Sequence, residues 1–460
     1  MRRKTLILDS TAWFVIDGLL AGGAMFLSFM ISPSYRLNLN AEGEVLYHVH
    51  LWQAVWLFAI TLAIAAHIFE LQNPLMPRHL APMIVRCVGA SWLAMTLFAA
   101  MIFGVFYERV GRLILVQVVT YCPLLMALAR YMVWRQSGQE KWRLLLIGAG
   151  RTGCHVAEMV RNSKLPFEVV AFVDHTERGE GGRVQDVPVF DVKASLAQQV
   201  AQLRVDEIVT CVPSGLARTS MDELMACLNL GVQVTNYDSF MEGRFFEVPV
   251  DTIRADWFLH SNLDLVHPLY WRLKGVGDLL AAIFGLLLAC PFLLLAAIAI
   301  KLESRGPIFY SQIRAGLLNK PYRMWKLRSM RMDAEASGPQ WASQGDQRVT
   351  VVGRFLRKTR LDEVPQFWNI LRGEMSLIGP RPERPEFLEM LAKEIPFYIQ
   401  RHLVKPGITG WAQINYPYGD SVEDAAKKLK FDFYYIKYAS VGLDMQIVLR
   451  SIGAIMRGAR

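Results

Sequence analysis

A chain of 460 residues is long enough for two or three domains. Its residues are 53% hydrophobic and its mean hydropathy is +0.24, which excludes an ordinary soluble enzyme and favours a membrane protein with soluble parts. The net charge of +9 fits anionic phospholipid or nucleotide partners; no nucleic acid is expected, because no basic run carries the interleaved aromatic residues of such a site. The six cysteines are scattered without metal-site spacing, so we expect reduced thiols.

The first 138 residues contain apolar runs of membrane-spanning length. A helix needs roughly 20 residues to cross the hydrocarbon core of a bilayer. We predict transmembrane helices at residues 9–31, 50–70, 82–107 and 112–134. Arg and Lys residues precede the first helix and follow the fourth, whereas the loop at residues 32–49 has Arg36 as its one Lys or Arg, beside two glutamates. The positive-inside rule therefore predicts that both ends of this four-helix domain face the cytosol.

Residues 139–240 have the pattern of a Rossmann-like, doubly wound parallel sheet. An apolar strand at residues 144–147 runs into a glycine-rich turn and a helix, and further strands are predicted at residues 168–173, 206–212 and 231–235. The candidate nucleotide-binding residues are Gly148, Gly150, Gly153 and Asp174, which have the spacing of a dinucleotide fingerprint. The alternative is that the glycines only form a tight turn. No Tyr-x-x-x-Lys dyad lies nearby, so hydride chemistry is not expected.

An irregular linker is predicted at residues 241–267, followed by a long apolar run. The run at residues 279–300 is long enough to cross a bilayer, yet Arg and Lys residues flank it on both sides and Pro291 lies near its centre. A helix–break–helix at residues 273–301, kinked at Pro291 and returning to the same membrane face, satisfies both observations. An ordinary fifth span is the alternative.

Residues 353–385 contain the adjacent carboxylates Asp362 and Glu363, preceded by four cationic side chains. We predict a helix over residues 354–371 that kinks at Pro365. Neighbouring helical residues point about 100° apart, so the two carboxylates perform different tasks: one attacks while the other holds a metal or orients a group. A solvated helix face is the alternative. Cations around a carboxylate, followed by the proline-locked Arg381, favour phosphoryl transfer.

The remaining elements surround this segment. Short strands are predicted at residues 308–311 and 322–327, and a polar loop over the site at residues 334–350. Amphipathic helices are predicted at residues 385–401, 423–438 and 442–457.

The segment LDEVPQFWNILRGEMSLIGPRPERP at residues 361–385 resembles the core signature of the bacterial sugar transferases. The chain is similar to their long form, the monotopic polyprenol-phosphate phosphoglycosyl transferases. Three further motifs occur in the family's order: GPIFYSQIRAG at 306–316, YRMWKLRSM at 322–330 and KPGITGWAQINYPYG at 405–419. The NYPYG within the last motif resembles the exopolysaccharide subgroup associated with exosortase systems.

The resemblance implies a mainly helical catalytic domain at residues 268–460, with a re-entrant membrane helix, in the bacterial inner membrane. It implies transfer of a hexose 1-phosphate from a UDP-sugar to undecaprenyl phosphate, with release of UMP, as the initiating step of exopolysaccharide biosynthesis. Asp362 would form a covalent phosphosugar intermediate, Glu363 would hold Mg²⁺ with it, and Arg381 would stabilise the phosphate oxygens. A homodimer is implied by family analogy. The implied substrate-binding residues are Arg314, Lys326, Arg328, Arg357, Arg360, Pro380 and Pro382.

Two other functions remain open at this point. A membrane-anchored NAD-dependent nucleotide-sugar dehydratase or epimerase would use the glycine-rich turn, but it lacks the dyad and leaves the last 190 or so residues unexplained. A non-catalytic scaffold for polysaccharide assembly would use the N-terminal helices. Replacing Asp362 by Asn would be silent under both and would abolish activity under the transferase hypothesis.

Overall fold

The computed structural model describes most of the chain and divides it into two compact units, Met1–Phe240 and Met241–Arg460. The loop at residues 32–49 and most of the loop predicted over the site lie outside the described residues. The described residues are 10–31, 51–69, 71, 80–104, 112–136, 141–163, 165–174, 182–191, 195–212, 218–254, 257–260, 268–334, 346–416, 419 and 421–456.

Apolar helices make up the first part of unit one. The described helices are α1 (Ser10–Ile31), α2 (Leu51–Ile68), α3 (Leu80–Gly104) and α4 (Arg112–Gln136), within a few residues of the predicted bounds. Each contains a segment long and apolar enough to cross a membrane. Consecutive helices pack together and α1 also packs on α4.

A buried ion pair joins α1 to α4. The Arg130 guanidinium donates to both carboxylate oxygens of Asp17, at 2.8 and 2.7 Å, and to the Leu71 carbonyl oxygen at 3.2 Å. It also lies over the Trp13 ring. Charged groups at this depth are tolerated only when paired, so the pair fixes how these two helices meet.

A six-stranded sheet forms the second part of unit one. Its order is β3-β4-β2-β1-β5-β6, parallel except for β3 against β4. The strands are β1 (Trp142–Ile147), β2 (Phe167–Asp174), β3 (Arg183–Val184), β4 (Val187–Asp191), β5 (Glu207–Thr210) and β6 (Gln233–Asn236), with helices α5 (Arg151–Asn162), α6 (Leu196–Gln202) and α7 (Arg218–Asn229) between them. The Rossmann-like prediction is confirmed. The β3–β4 hairpin was not predicted, because two short strands with little alternation give no clear period.

Helix α8 (Tyr237–Phe245) leads into unit two, and the segment after it is part of the core. Val248 and Val250 are buried there, and the Val248 N–H donates to the Lys430 carbonyl oxygen at 3.0 Å. The first half of the predicted linker at residues 241–267 therefore belongs to unit two. A short helix, α9 (Trp257–His260), follows.

The core of unit two lies among α13 (Pro385–Glu394), β9 (Ser376–Ile378), α15 (Val422–Tyr438) and α16 (Val441–Met456). Helix α13 is shorter than the predicted helix at residues 385–401, because Ile395, which precedes Pro396, takes an extended conformation (φ −116°, ψ 115°). Phe397 is left-handed (φ 59°), and a 3₁₀ helix, Tyr398–Leu403, follows. The last two helices match their predictions. Trp411, in the short α14 (Trp411–Asn415), is buried against Tyr434.

The long apolar run forms one helix, α10 (Pro268–Glu303), which continues through Pro291. The chain stays helical through Pro291, so the predicted break into two helices is wrong, whereas a kink within the continuous helix stays a prediction. A proline removes one backbone hydrogen bond, and in an apolar helix the neighbouring turns can keep the helical path.

Both halves of α10 contact the rest of unit two. Before Pro291, Lys274 pairs with Asp444 at 3.0 Å, and Asp278 accepts from the Ser376 hydroxyl at 2.7 Å. After it, the Glu303 carboxylate accepts from the N–H groups at the start of α11 (Val351–Thr359), at 2.6 and 3.1 Å. Between these contacts the side chains are mostly exposed, among them Leu287, Leu288 and Phe292.

Candidate active site

A two-stranded hairpin supplies the first side chains of the site. Strands β7 (Phe309–Ala315) and β8 (Pro321–Leu327) pair antiparallel, as the two predicted short strands suggested. Because alternate residues of a strand share a face, Met324 and Lys326 project to the same side of β8. The Lys326 ammonium reaches Glu363 at 3.1 Å.

The acid pair lies on a tight turn and not inside a helix. Helix α11 ends at Thr359, Arg360 takes a left-handed conformation (φ 59°), and a 3₁₀ turn covers Leu361–Glu363. The predicted kink at Pro365 is wrong, since that residue directly precedes α12 (Gln366–Leu371), where a missing N–H breaks no helical bond. The turn instead brings both carboxylates into the interior.

Glu363 is held by three cations. Its oxygens lie 3.1 Å from Lys326, 3.3 Å from Arg381 and 3.4 Å from Arg360. Burial alone would raise the pKa of Glu363, but these cations outweigh burial and hold the pKa below its ordinary value. Glu363 is therefore ionised, and the three cations around it carry more positive charge than its carboxylate carries negative charge.

Asp362 has the opposite environment. Its side chain is buried, with 6% of the residue exposed, and Oδ1 has no hydrogen-bond partner within the described part of the chain. Burial, reinforced by the neighbouring Glu363 charge, raises the pKa of Asp362 to about 6. An ionised Asp362 is thus a poorly solvated carboxylate, which is the state that favours nucleophilic attack.

A small cleft opens beside Glu363. Asp362 does not line it, although the neighbouring Glu363 does. Gln366 lines the cleft, and the sequence analysis did not predict this. Its position four residues after Asp362, about one helical turn, could have indicated it. The cleft is lined by Arg314, Met324, Lys326, Glu363, Gln366, Arg381, Pro382, Gly407 and Ile408.

The strand pair β9–β10 closes the other side of the cleft. β10 (Gly407–Thr409) lies parallel to β9, with Gly407 opposite Ser376. Gly407 approaches the backbone of Gly379 so closely that any side chain would clash. This pairing carries Gly407 and Ile408 to the cleft, and no local pattern in the sequence indicates it.

Two family models match this chain. The bacterial sugar transferase model covers residues 269–458, the unit that holds the acid pair, and a CoA-binding domain model covers residues 77–235. A UDP-glucose:undecaprenyl-phosphate glucose-1-phosphate transferase of Caulobacter vibrioides is 42% identical over 185 residues, which are 40% of this chain and 69% of that protein. The chain belongs to the bacterial sugar transferase family.

Two longer relatives also match this sugar transferase. One is a UDP-N-acetylgalactosamine-undecaprenyl-phosphate N-acetylgalactosaminephosphotransferase of Aeromonas hydrophila, 47% identical over 42% of this chain and 46% of its own length. The other is the UDP-glucose:undecaprenyl-phosphate glucose-1-phosphate transferase of Escherichia coli, 46% identical over 42% of this chain and 45% of its own length. The match therefore spans a little under half of each relative.

Three arginines predicted to bind substrate take different positions in the transferase. Arg360 pairs with Glu363, and Arg357 donates to the Ser329 hydroxyl at 3.0 Å. Arg328 is buried away from the cleft, where it donates to the carbonyl oxygens of Ser304 and Arg305 at 2.9 and 3.0 Å, just after α10. A cation at a helix C-terminus satisfies its free carbonyls, so Arg328 holds α10 in place.

The predicted nucleotide-binding residues meet at the carboxyl ends of β1 and β2. Gly148 has a φ of 103°, and a side chain at Gly153 would clash with the Gly148 carbonyl oxygen. The Asp174 carboxylate accepts from the Ala149 N–H at 2.9 Å. In the structure these residues therefore form the tight turn, and the Asp174 carboxylate stabilises it through the hydrogen bond from the Ala149 N–H.

Within the described residues, no group of three or more His, Cys, Asp or Glu side chains is arranged to hold a metal ion. The acid pair offers two carboxylates, one with an unpartnered oxygen. Mg²⁺ in phosphate-binding sites commonly takes one or two carboxylates together with substrate phosphates and waters. The pair fits that minimal donor set.

Proposed function

We propose that this protein transfers a sugar 1-phosphate from a UDP-sugar to undecaprenyl phosphate and releases UMP. The observation that carries the proposal is the difference in environment between the two carboxylates of the acid pair. A buried, unpartnered Asp362 with a raised pKa stands next to Glu363, which three cations hold ionised at the wall of a cleft. The names of the relatives supply the substrate class, since each acts on a UDP-sugar or a sugar phosphate and on undecaprenyl phosphate.

In the proposed reaction Asp362 is the nucleophile. Its carboxylate attacks the β-phosphorus of the UDP-sugar, the bond from that phosphorus to the UMP oxygen breaks, and UMP leaves. The phosphate oxygen of undecaprenyl phosphate then attacks the same phosphorus and releases the carboxylate. Arg381 and Lys326 lie where they can neutralise the charge on the phosphoryl oxygens during both steps.

We include Mg²⁺ in the proposal, held by Asp362 and Glu363. When bound, the ion would neutralise charge on the diphosphate of the donor. Glu363 already has three cationic partners, and these orient its carboxylate toward the cleft whether or not the ion is present.

We also propose that α10 enters and leaves the membrane on its cytosolic face. A helix that crosses the bilayer would separate its two ends by about 30 Å of hydrocarbon. Here Lys274 and Asp278 at one end and Glu303 at the other all contact the same unit, while the middle of the helix exposes its apolar side chains. The undecaprenyl tail would lie along this exposed middle, next to the cleft.

The test is UMP release from a panel of UDP-sugars in membranes that contain undecaprenyl phosphate and Mg²⁺. We expect the wild type to release UMP only with the lipid present, and Asp362→Asn to release none. Glu394→Gln, which alters an exposed carboxylate at the end of α13, is the matched control and should behave as wild type. A folded wild type that releases no UMP from any donor would contradict the proposal.

A further inference from the structure

The loop that carries Arg381 is fixed through its main chain. Four successive carbonyl oxygens, at residues 380 to 383, each accept a hydrogen bond, and two of the donors are guanidinium groups. The bonds are Gly407 N–H to Pro380 O (2.9 Å), Arg401 to Arg381 O (3.2 Å), Arg314 to Pro382 O (3.1 Å) and Ala315 N–H to Glu383 O (3.0 Å).

Arg401 makes this contact from the interior of unit two. Only 3% of the residue is exposed, and it lies in the 3₁₀ helix that follows α13. Its guanidinium pairs with Asp432 of α15 at 2.6 Å, donates to the Tyr398 hydroxyl at 2.6 Å and reaches the Glu383 carboxylate at 3.4 Å. The buried charge is therefore neutralised by two carboxylates, one from α15 and one from the loop itself.

Stability alone does not account for a buried pair of this kind. Removing two charges from water is unfavourable, and apolar side chains of similar volume often stabilise a core as well or better. An apolar pair, however, cannot donate to the Arg381 carbonyl oxygen. The guanidinium thus links α15, through Asp432, to the main chain of the cleft loop.

We infer that Arg401, whose charge Asp432 neutralises, is a positioning residue. It holds the main chain of Arg381 where the Arg381 guanidinium contacts Glu363 and the donor diphosphate. The contact of Arg381 with Glu363 is 3.3 Å, and small displacements of such a group weaken transition-state stabilisation sharply. The inference rests on the proposed function for its catalytic consequence, but its structural part stands on the contacts of the loop.

The first test is the double variant Arg401→Met with Asp432→Leu, in which an apolar pair replaces the ion pair. We expect the full-length protein to fold with a similar unfolding temperature, because neither charge is left unpaired. We expect kcat for UMP release to fall by a factor of about 10 to 100, the size of effect that misplaced catalytic groups produce. Wild-type kcat in this variant would overturn the inference.

The second test asks whether Arg401 acts through Arg381. In an Arg381→Ala background, the same double replacement should lower kcat by a factor of less than about two, since the group it positions is gone. A general structural role would instead lower kcat equally in both backgrounds, and that result would overturn the inference.

The third test does not depend on turnover. In the double variant, hydrogen exchange should become faster in peptides spanning residues 405–410 and 313–318, whose amides at Gly407 and Ala315 bind the loop. A peptide spanning residues 142–147 in unit one is the control and should exchange unchanged. Unchanged exchange at the loop contradicts the inference, whereas a wild type without UMP release contradicts only the proposed function.

Discussion

Asp362 and Glu363 are neighbours in sequence with opposite protonation behaviour. Three cations hold Glu363 ionised, while burial and the Glu363 charge raise the pKa of Asp362 to about 6. A short 3₁₀ turn makes this possible, because it directs adjacent side chains into different surroundings. The proposed division of work, one carboxylate attacking and the other oriented by cations, follows from these two environments.

The raised pKa of Asp362 predicts a stability cost at neutral pH. The folded state favours the protonated carboxyl, so stability falls as pH rises from the ordinary value of 3.8 through about 6, and the loss is about 3 kcal/mol above that range. Asn cannot ionise, so Asp362→Asn should unfold at a higher temperature than wild type at pH 8, with a smaller difference at pH 5. Thermal unfolding without Mg²⁺ measures this. A variant no more stable than wild type at pH 8 would contradict the account.

Arg328 predicts a different response from the cations of the cleft. Arg328→Met removes its bonds to the carbonyls after α10, and we expect a loss of about 1–3 kcal/mol in stability with an unchanged KM for the UDP-sugar. Lys326→Met, which removes a partner of Glu363 in the cleft, should lower kcat/KM. Thermal unfolding and UMP-release kinetics separate the two. A raised KM for the UDP-sugar in Arg328→Met, with normal stability, would show instead that Arg328 binds the substrate.

The residue types of the site could be read from the sequence, but their partners could not. The acid pair, Lys326 and Arg381 are near one another, as the cation-rich signature suggested. Arg328 was predicted beside them because it shares a motif with Lys326. Strand β8 ends at Leu327, however, so Arg328 lies beyond the strand and its side chain meets the carbonyl oxygens after α10 instead of the cleft.

At the scale of elements, two prolines did not mark the predicted interruptions. Pro365 precedes a helix, and the chain stays helical through Pro291, where a break was expected. The actual break is at Arg360, whose left-handed backbone no composition rule indicates. Strands and amphipathic helices with a clear period were predicted well, because burial of one face sets that period.

The proposed path of α10 predicts where its ends lie. Leu269→Cys and Leu302→Cys, at exposed positions near the two ends of the helix, should both react with a membrane-impermeant maleimide from the cytosolic side. The background would have all six native cysteines replaced. A protein keeping only Cys290, which is mid-helix, should resist labelling because lipid surrounds it. Labelling of positions 269 and 302 from opposite sides would establish a crossing.

At the scale of the whole molecule, the proposed chemistry belongs to one of two units. The bacterial sugar transferase match and the acid pair both lie within Met241–Arg460. The Caulobacter relative matches over 40% of this chain and 69% of its own length. We expect the helices and the Rossmann-like sheet of unit one to be additions to the unit that carries the proposed chemistry.

This division predicts the activity of a fragment. Residues 241–460 should fold and release UMP in membranes with undecaprenyl phosphate. A fragment beginning at residue 268 should be unstable, because it lacks Val248 and Val250 from the core. Expression, thermal unfolding and UMP release compare the two. A folded 241–460 fragment without activity would show that unit one takes part in the reaction.

The most direct test of the central claim is UMP release before the lipid substrate is added. If Asp362 forms a covalent phosphosugar intermediate, the wild type mixed with its UDP-sugar and Mg²⁺ should release a burst of UMP that matches the enzyme concentration. The mass of the protein should rise by that of the sugar phosphate, and Asp362→Asn should show neither change. UMP release that begins only when undecaprenyl phosphate is present, with no adduct on the protein, would contradict the account.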